Sequence, residues 1–80
     1  MNKQIFKPDV KVEVFNAITY EWLEVFFWQL PHRSAIRIFY LDKTNGEYKR
    51  LVDKDGNSVW ITDGSPYKDA NGIWTVNTVY

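Results

Sequence analysis

The sequence predicts a small all-β domain, an antiparallel meander or partly closed barrel of five to six strands. Two observations support this prediction. Each of the four glycines follows an Asn or Asp, and the resulting turn dipeptides recur every eight to ten residues. The segments between them are rich in β-branched and aromatic residues, and turn signals at this spacing are typical of antiparallel sheets. Residues 1–80 form one domain in this interpretation, because two cores would each be too small to be stable.

The glycine dipeptides define the expected turns. Asn-Gly and Asp-Gly favour positive φ at two successive residues, as the type I′ hairpin turn requires. We therefore expect turns of this type at four places. They are Asn45-Gly46, Asp55-Gly56, Asp63-Gly64 and Asn71-Gly72.

Five segments have the alternation or the composition of strands. Val10, Val12 and Val14 alternate with other residues, and the segment 34–41 alternates in the same way. Segment 47–52 follows the Asn45-Gly46 turn and is expected to pair with segment 34–41, so that residues 34–52 form a hairpin. The remaining expected strands are residues 58–62 and 73–80.

Residues 16–30 admit two interpretations. Asn16 could cap a helix that Pro31 ends, which would give an α+β domain with a helix at about 17–30 packed on an antiparallel sheet. At the helical period, however, the apolar side chains are spread around the whole circumference. The residue types also favour strands. We favour the strand and keep the helix as the alternative.

Composition narrows the classes of function. The chain has no cysteine, which excludes a disulfide scaffold and a cysteine-ligated metal, and its only histidine is His32. Ten basic and ten acidic residues give zero formal charge, which argues against a general nucleic-acid binder. No apolar run approaches the roughly 20 residues needed to span a bilayer. We therefore expect a cytoplasmic protein without membrane contact.

No residues are arranged as a recognisable catalytic or metal site. His32 and Ser34 lie close in sequence, but no third group is placed to orient them as in a catalytic triad. The segment 53–58 resembles a calcium loop, yet its glycine is at the fourth position and not the sixth. The chain is therefore predicted not to be an enzyme, and we expect no cofactor and no metal.

Aromatic residues are in excess, with four Trp, five Tyr and five Phe. Because the interior of so small a domain cannot enclose them all, some should face a partner. The sequence therefore predicts a non-catalytic protein-binding module, such as a stoichiometric inhibitor or adaptor, by analogy with small viral (phage) and mobile-element proteins. Homo-oligomerisation is a related alternative. The expected surface consists of Tyr20, Trp22, Phe26, Trp28, Arg37 and Tyr40.

Two further functions remain open. Residues 31–50 carry five basic and two acidic residues, so the hairpin 34–52 could present rings and cations to single-stranded nucleic acid. The residues expected there are Arg33, Arg37, Phe39, Lys49 and Arg50. Alternatively, acidic turns could mimic the phosphates of a nucleic acid. Those acids are Asp53, Asp55, Asp63 and Asp69.

Overall fold

Eight antiparallel strands and one 3-10 turn make up the computed structural model, which describes residues 2–7 and 9–79 except the side chain of Asn2. The strands are β1 (Asn2–Ile5), β2 (Val10–Asn16), β3 (Glu21–Val25), β4 (Ala35–Asp42), β5 (Glu47–Arg50), β6 (Trp60–Ile61), β7 (Tyr67–Lys68) and β8 (Trp74–Thr78). The 3-10 turn, Phe27–Gln29, follows β3. Within this part of the chain no helix is long and apolar enough to cross a membrane.

The strands form two open sheets. The large sheet has the order β3-β2-β4-β5, and β6 also pairs with β4. The small sheet has the order β1-β8-β7. The chain after β6 links the two sheets, because Thr62 bridges Thr78 and the Asp63 N–H donates to the Asn77 carbonyl oxygen at 2.8 Å.

One hydrophobic core draws side chains from both sheets and from the 3-10 turn. Alternate residues of β2 and β4 point into it, so that Val12, Ile36 and Ile38 are buried. The residues between them point to the opposite side of the large sheet, called the outer face below. The buried apolar residues are Val12, Phe27, Leu30, Ile36, Ile38, Trp60 and Val76.

The prediction of an all-β antiparallel domain is confirmed, and the helix alternative for residues 17–30 is wrong. Within that segment β3 forms a strand and Phe27–Gln29 a single 3-10 turn. A helix would have no continuous polar face to turn toward water. The structure has more strands than expected, because β1 and β7 lack local alternation and are formed by pairing with β8.

The four turns differ from the expected type I′ geometry. All four glycines have positive φ, but the Asn or Asp before each does not, and the only other described residues with positive φ are Tyr20 and Arg33. In two of these turns an aspartate closes the loop with its side chain. Asp53 Oδ1 accepts the N–H groups of Asp55 and Asn57, both at 2.9 Å. In these two turns, competition from the aspartate side chain explains why the dipeptide rule predicts the wrong turn type.

The Asp69 turn repeats the hydrogen bonds that backbone N–H groups make in the Asp53 turn. Asp69 Oδ1 accepts the N–H groups of Asn71 at 2.8 Å and Ile73 at 3.0 Å. The Asp69 N–H donates to the Ile73 carbonyl oxygen at 3.0 Å, as the Asp53 N–H donates to that of Asn57 at 2.9 Å. Hydrogen bonds from the Asn57 and Asp55 N–H groups lower the pKa of the Asp53 carboxyl. The carboxylates of Asp53 and Asp69 therefore accept hydrogen bonds from the backbone of their own turns.

Thr62 joins the chain before β4 to the link between the sheets. Its side chain is fully buried, and its Oγ1 accepts the Ser34 N–H at 2.8 Å and donates to the Pro31 carbonyl oxygen at 2.7 Å. A buried donor or acceptor that loses its partner costs about 1–3 kcal/mol. Thr62 thus provides hydrogen-bond partners for two backbone groups, the Ser34 N–H and the Pro31 carbonyl oxygen, that strand pairing leaves without one.

We expect Thr62→Val to lower the free energy of unfolding by about 1–3 kcal/mol, since valine keeps the shape and removes both hydrogen bonds. Urea unfolding followed by tryptophan fluorescence measures this. Thr75→Val is the matched control, because Thr75 is equally buried but bonds only locally, to the Ile73 carbonyl oxygen. Equal losses in the two variants would contradict this role of Thr62.

An ion pair joins β4 to β5 beside the turn at Gly46. The Lys49 Nζ lies 2.7 Å from Asp42 Oδ2, and the Thr44 N–H donates to Asp42 Oδ1 at 2.9 Å. The Lys49 ammonium and then Thr44 hold the pKa of the Asp42 carboxyl well below its usual range. The charged carboxylate therefore stabilises the hairpin.

This ion pair predicts acid sensitivity. Because the pKa of Asp42 is lower in the folded chain, its stabilisation is complete above the unfolded value of about 3.9 and is lost as the pH falls below it. We expect the Tm of Asp42→Asn to fall less than that of the wild type between neutral and strongly acidic pH. Glu21→Gln is the control and should follow the wild type, since Glu21 forms no ion pair with a described residue and lies opposite the neutral Asn16. Parallel Tm curves for all three proteins would contradict the prediction.

Candidate protein-binding surface

Most aromatic rings lie at the surface. Among the rings of residues 2–7 and 9–79, only Phe27 and Trp60 are buried. Tyr20 is 79%, Phe26 62% and Trp28 45% exposed. The expected excess of rings is therefore observed, and seven of the rings that are not buried form two clusters near β3.

The first cluster lies on the outer face of the large sheet and is called the Trp22 cluster. It consists of Phe15, Tyr20, Trp22 and Arg37. Phe15 of β2 is directly opposite Trp22 of β3, with their ring centroids 5.2 Å apart. Tyr20 meets the edge of Phe15 at 6.2 Å, and the Arg37 guanidinium lies over Trp22 at 4.1 Å. Cross-strand neighbours thus support Phe15 and Trp22, and Tyr20 of the adjoining loop packs against Phe15.

The Arg37 guanidinium is fixed from two sides. Its Nε donates to Glu13 Oε1 at 2.9 Å, while its plane covers Trp22. Because both Arg37 and Glu13 are largely covered, this charge-assisted hydrogen bond restrains the arginine more than an exposed pair would. The result is a preorganised surface of one aromatic ring and one cation.

The loop between β2 and β3 holds Tyr20 in an unusual conformation. Asn16 Oδ1 accepts the Ile18 N–H at 2.9 Å, and the Tyr20 N–H donates to the Asn16 carbonyl oxygen at 2.7 Å. Tyr20 has φ +59°, a left-handed conformation that is costly for a bulky residue. Ile18 at the tip is 90% exposed. The loop therefore displays two large apolar side chains to solvent.

The second cluster lies where β3 ends and is called the Trp28 cluster. It consists of Phe6, Phe26, Trp28 and Trp74. Phe26 and Trp28 are stacked with centroids 5.0 Å apart and planes at 4°. Trp28 also contacts Trp74 at 6.2 Å and the edge of Phe6 at 6.1 Å. Buried Phe27 lies 5.6 Å from Phe6 and anchors the turn.

The expected protein-binding surface is divided between these two clusters. Tyr20, Trp22 and Arg37 come together in the first, and Phe26 and Trp28 in the second. Trp22 does not share a strand face with Phe26 and Trp28, because β3 ends at Val25. Both clusters nevertheless border β3, the terminal strand of the large sheet.

Tyr40 lies apart from both clusters. It pairs with Val10 and Lys49, and so lies on the core side of the large sheet, opposite the outer face. Its 42% exposure reflects a position beyond the rim of the core. The clusters also contain Phe6, Phe15 and Trp74, which are half-buried and which the sequence did not predict for this surface. Alternation with the buried valines of β2 could have identified Phe15, whereas Phe6 and Trp74 meet only through pairing of β1 with β8.

The residues expected for nucleic-acid binding do not share one face. Phe39 pairs with Arg50 on the outer face, which also carries Arg37. Lys49 lies on the opposite side, because neighbouring side chains of a strand alternate, and it is bound to Asp42. Arg33 lies in the loop before β4. The expected basic patch is therefore incomplete.

The polar candidates form no chemical site. The His32 Nδ1 accepts the Gly64 N–H at 2.6 Å, and the Ser34 hydroxyl donates to the His32 carbonyl oxygen at 3.2 Å, so the two side chains are not paired. Among the described residues no group of three or more His, Cys, Asp or Glu could hold a metal ion. Asp53 and Asp69 bind their own turns, and the Asp63 backbone joins the two sheets.

Comparisons with protein-family models, with curated proteins and with solved structures found no match to this chain.

Because Tyr20 has a left-handed conformation, replacing it tests whether its ring stabilises the fold. Asparagine tolerates positive φ far better than tyrosine, whereas the contact with Phe15 is worth about 0.5–1.5 kcal/mol. We therefore expect Tyr20→Asn to keep the free energy of unfolding within about 1 kcal/mol of the wild type. Chemical denaturation measures it, with Phe15→Ala as the comparison that removes a half-buried ring. A loss above this range in Tyr20→Asn would indicate a structural role for the ring.

Proposed function

We propose that this chain is a non-catalytic protein-binding module whose binding surface is β3 together with the Trp22 and Trp28 clusters. One observation carries the proposal, namely that strongly exposed rings flank a terminal strand at both of its ends. Tyr20 precedes β3 and Phe26 follows it. Aromatic and arginine side chains supply most of the energetically dominant contacts in protein interfaces.

The preorganisation of the two clusters supports this proposal. Arg37 and Phe15 hold Trp22 in place, and Phe26 and Trp28 hold each other by stacking. A side chain that is already ordered loses less conformational entropy when a partner binds. Such rings can contribute more of their contact energy to affinity than flexible side chains can.

Action as a stoichiometric inhibitor or adaptor in the cytoplasm belongs to the same proposal. A fold without cysteine does not depend on an oxidising compartment, which is consistent with that location. We do not propose nucleic-acid binding, because Glu13 and Asp42 already neutralise Arg37 and Lys49. An acidic mimic is not proposed either, since Asp53 and Asp69 bind their own turns.

Affinity capture with matched variants tests the proposal. Tagged wild-type protein is incubated with lysate of the organism that encodes it, and bound proteins are identified by mass spectrometry. We expect a partner that the wild type retains and that Trp22→Ala and Phe26→Ala each lose by about tenfold or more, as hot-spot residues do. Tyr40→Ala is the control, because Tyr40 is exposed to a degree comparable with Trp28 but belongs to neither cluster.

Circular dichroism of each variant separates loss of binding from loss of fold. The proposal fails if the captured proteins are the same for all folded variants. It also fails if Tyr40→Ala loses the partner as strongly as the cluster variants do.

A further inference from the structure

The outer edge of β3 has no partner strand within the described part of the chain. β3 pairs with β2 along its whole length, and the sheet order ends there. The backbone N–H and C=O groups on the other edge are therefore open to another strand. With five residues β3 is the longest of the described strands that pair with only one other strand, and it is the one bordered by both aromatic clusters.

Three charged residues face one another across the outer face, and the one at the free edge of β3 has no cation directly opposite it. Glu24 of β3 is directly opposite Glu13 of β2, which is directly opposite Arg37 of β4. Like charges in facing positions are destabilising, and Arg37 compensates Glu13 at 2.9 Å. Among the described residues Glu24 forms an ion pair only with Lys11, at 3.6 Å, and the Glu24 side chain is 61% exposed. A cation beyond β3 would lie directly opposite Glu24.

The core side of β3 is incompletely covered in the same place. Leu23 lies opposite Val14 on this side and is 41% exposed, whereas Val12 in the middle of β2 is fully buried. The hydrophobic core therefore covers the terminal strand β3 less completely than it covers β2. An aliphatic side chain on an additional strand would cover Leu23 and extend the core by one strand.

We infer that the edge of β3 binds an extended segment of a partner protein by strand addition. This segment places a basic side chain opposite Glu24 on the outer face and an aliphatic one opposite Leu23 on the core side. The inference rests on the proposed function. It adds how the partner binds and which side chains the partner's bound segment carries. Backbone hydrogen bonds supply affinity in such complexes, and alternate side chains supply specificity.

A second copy of this chain is a poorer occupant of the edge. Pairing two β3 strands would add four glutamates to the two faces of the joined sheet, Glu24 of each copy on one face and Glu21 on the other, and neither strand carries a cation. Glu21 forms no ion pair with a described residue that could offset this. Charge therefore favours a basic segment of another protein.

Peptide titration followed by NMR tests the inference on the intact protein. The probe is a short, end-capped peptide in which lysine and valine alternate. We expect it to shift the amide resonances of β3 and to slow hydrogen exchange of the β3 amides that point to the free edge. A peptide with glutamate in place of lysine should bind about fivefold more weakly, the scale of one unfavourable cross-strand pair.

Two matched changes separate strand addition from other contacts. Glu24→Lys should reverse the preference, so that the glutamate peptide binds more tightly than the lysine peptide. Glu47→Lys, at the other end of the sheet on β5, should leave the preference unchanged. A lysine peptide with alternate backbone amides N-methylated keeps its side chains but cannot pair with β3, and it should not bind.

The inference is overturned if the N-methylated peptide binds as well as its parent, if Glu24→Lys leaves the preference unchanged, or if the lysine peptide does not affect β3. Concentration-dependent protection of β3 without peptide, together with a dimer in light scattering, would identify a second copy as the occupant and also overturn it. The proposed function is judged separately. It stands if Trp22→Ala and Phe26→Ala lose a captured partner even though no peptide protects β3.

Discussion

Burial of Phe27 determines how the exposed rings are arranged. Phe27 is 2% exposed and lies against Phe6, so the chain after β3 must turn into the core at this point. A continued strand would have carried Phe26 and Trp28 along the sheet as separate side chains. The 3-10 turn instead points both outward and stacks them 5.0 Å apart. One buried ring thus fixes the Trp28 cluster and also ends β3 where its edge is open.

The two clusters and the edge of β3 form one continuous feature in the sequence, although they belong to different parts of the fold. Residues 20–28 run from the Trp22 cluster, along the terminal strand, to the Trp28 cluster. Each end is supported by side chains from elsewhere, namely Arg37 from β4 and Trp74 from β8. A partner that pairs with β3 would therefore meet ordered rings at both ends of its strand. Seven of the described rings thus lie at or beside one terminal strand.

Local patterns in the sequence were sufficient to predict some of the strands and the positions of the turns. Alternation identified β2 and β4, because the period of a strand is visible within a few residues. The glycines identified the turns but not the turn type, because the carboxylates of Asp53 and Asp69 compete for the backbone. The strand β1 and the contact of Phe6 with Trp28 depend on pairing with β8 at the other end of the chain. No local pattern indicates such pairing, and the division of the predicted surface into two clusters could not be foreseen.

Site-specific photo-crosslinking in cells tests most directly whether the exposed rings contact a partner protein. A photoreactive phenylalanine analogue replaces Phe26 in one variant and Tyr40 in another, so that two exposed rings are compared in the same fold. The account predicts one discrete crosslinked partner from position 26 and none from position 40. Crosslinks to the same protein from both positions, or none from position 26, would contradict it.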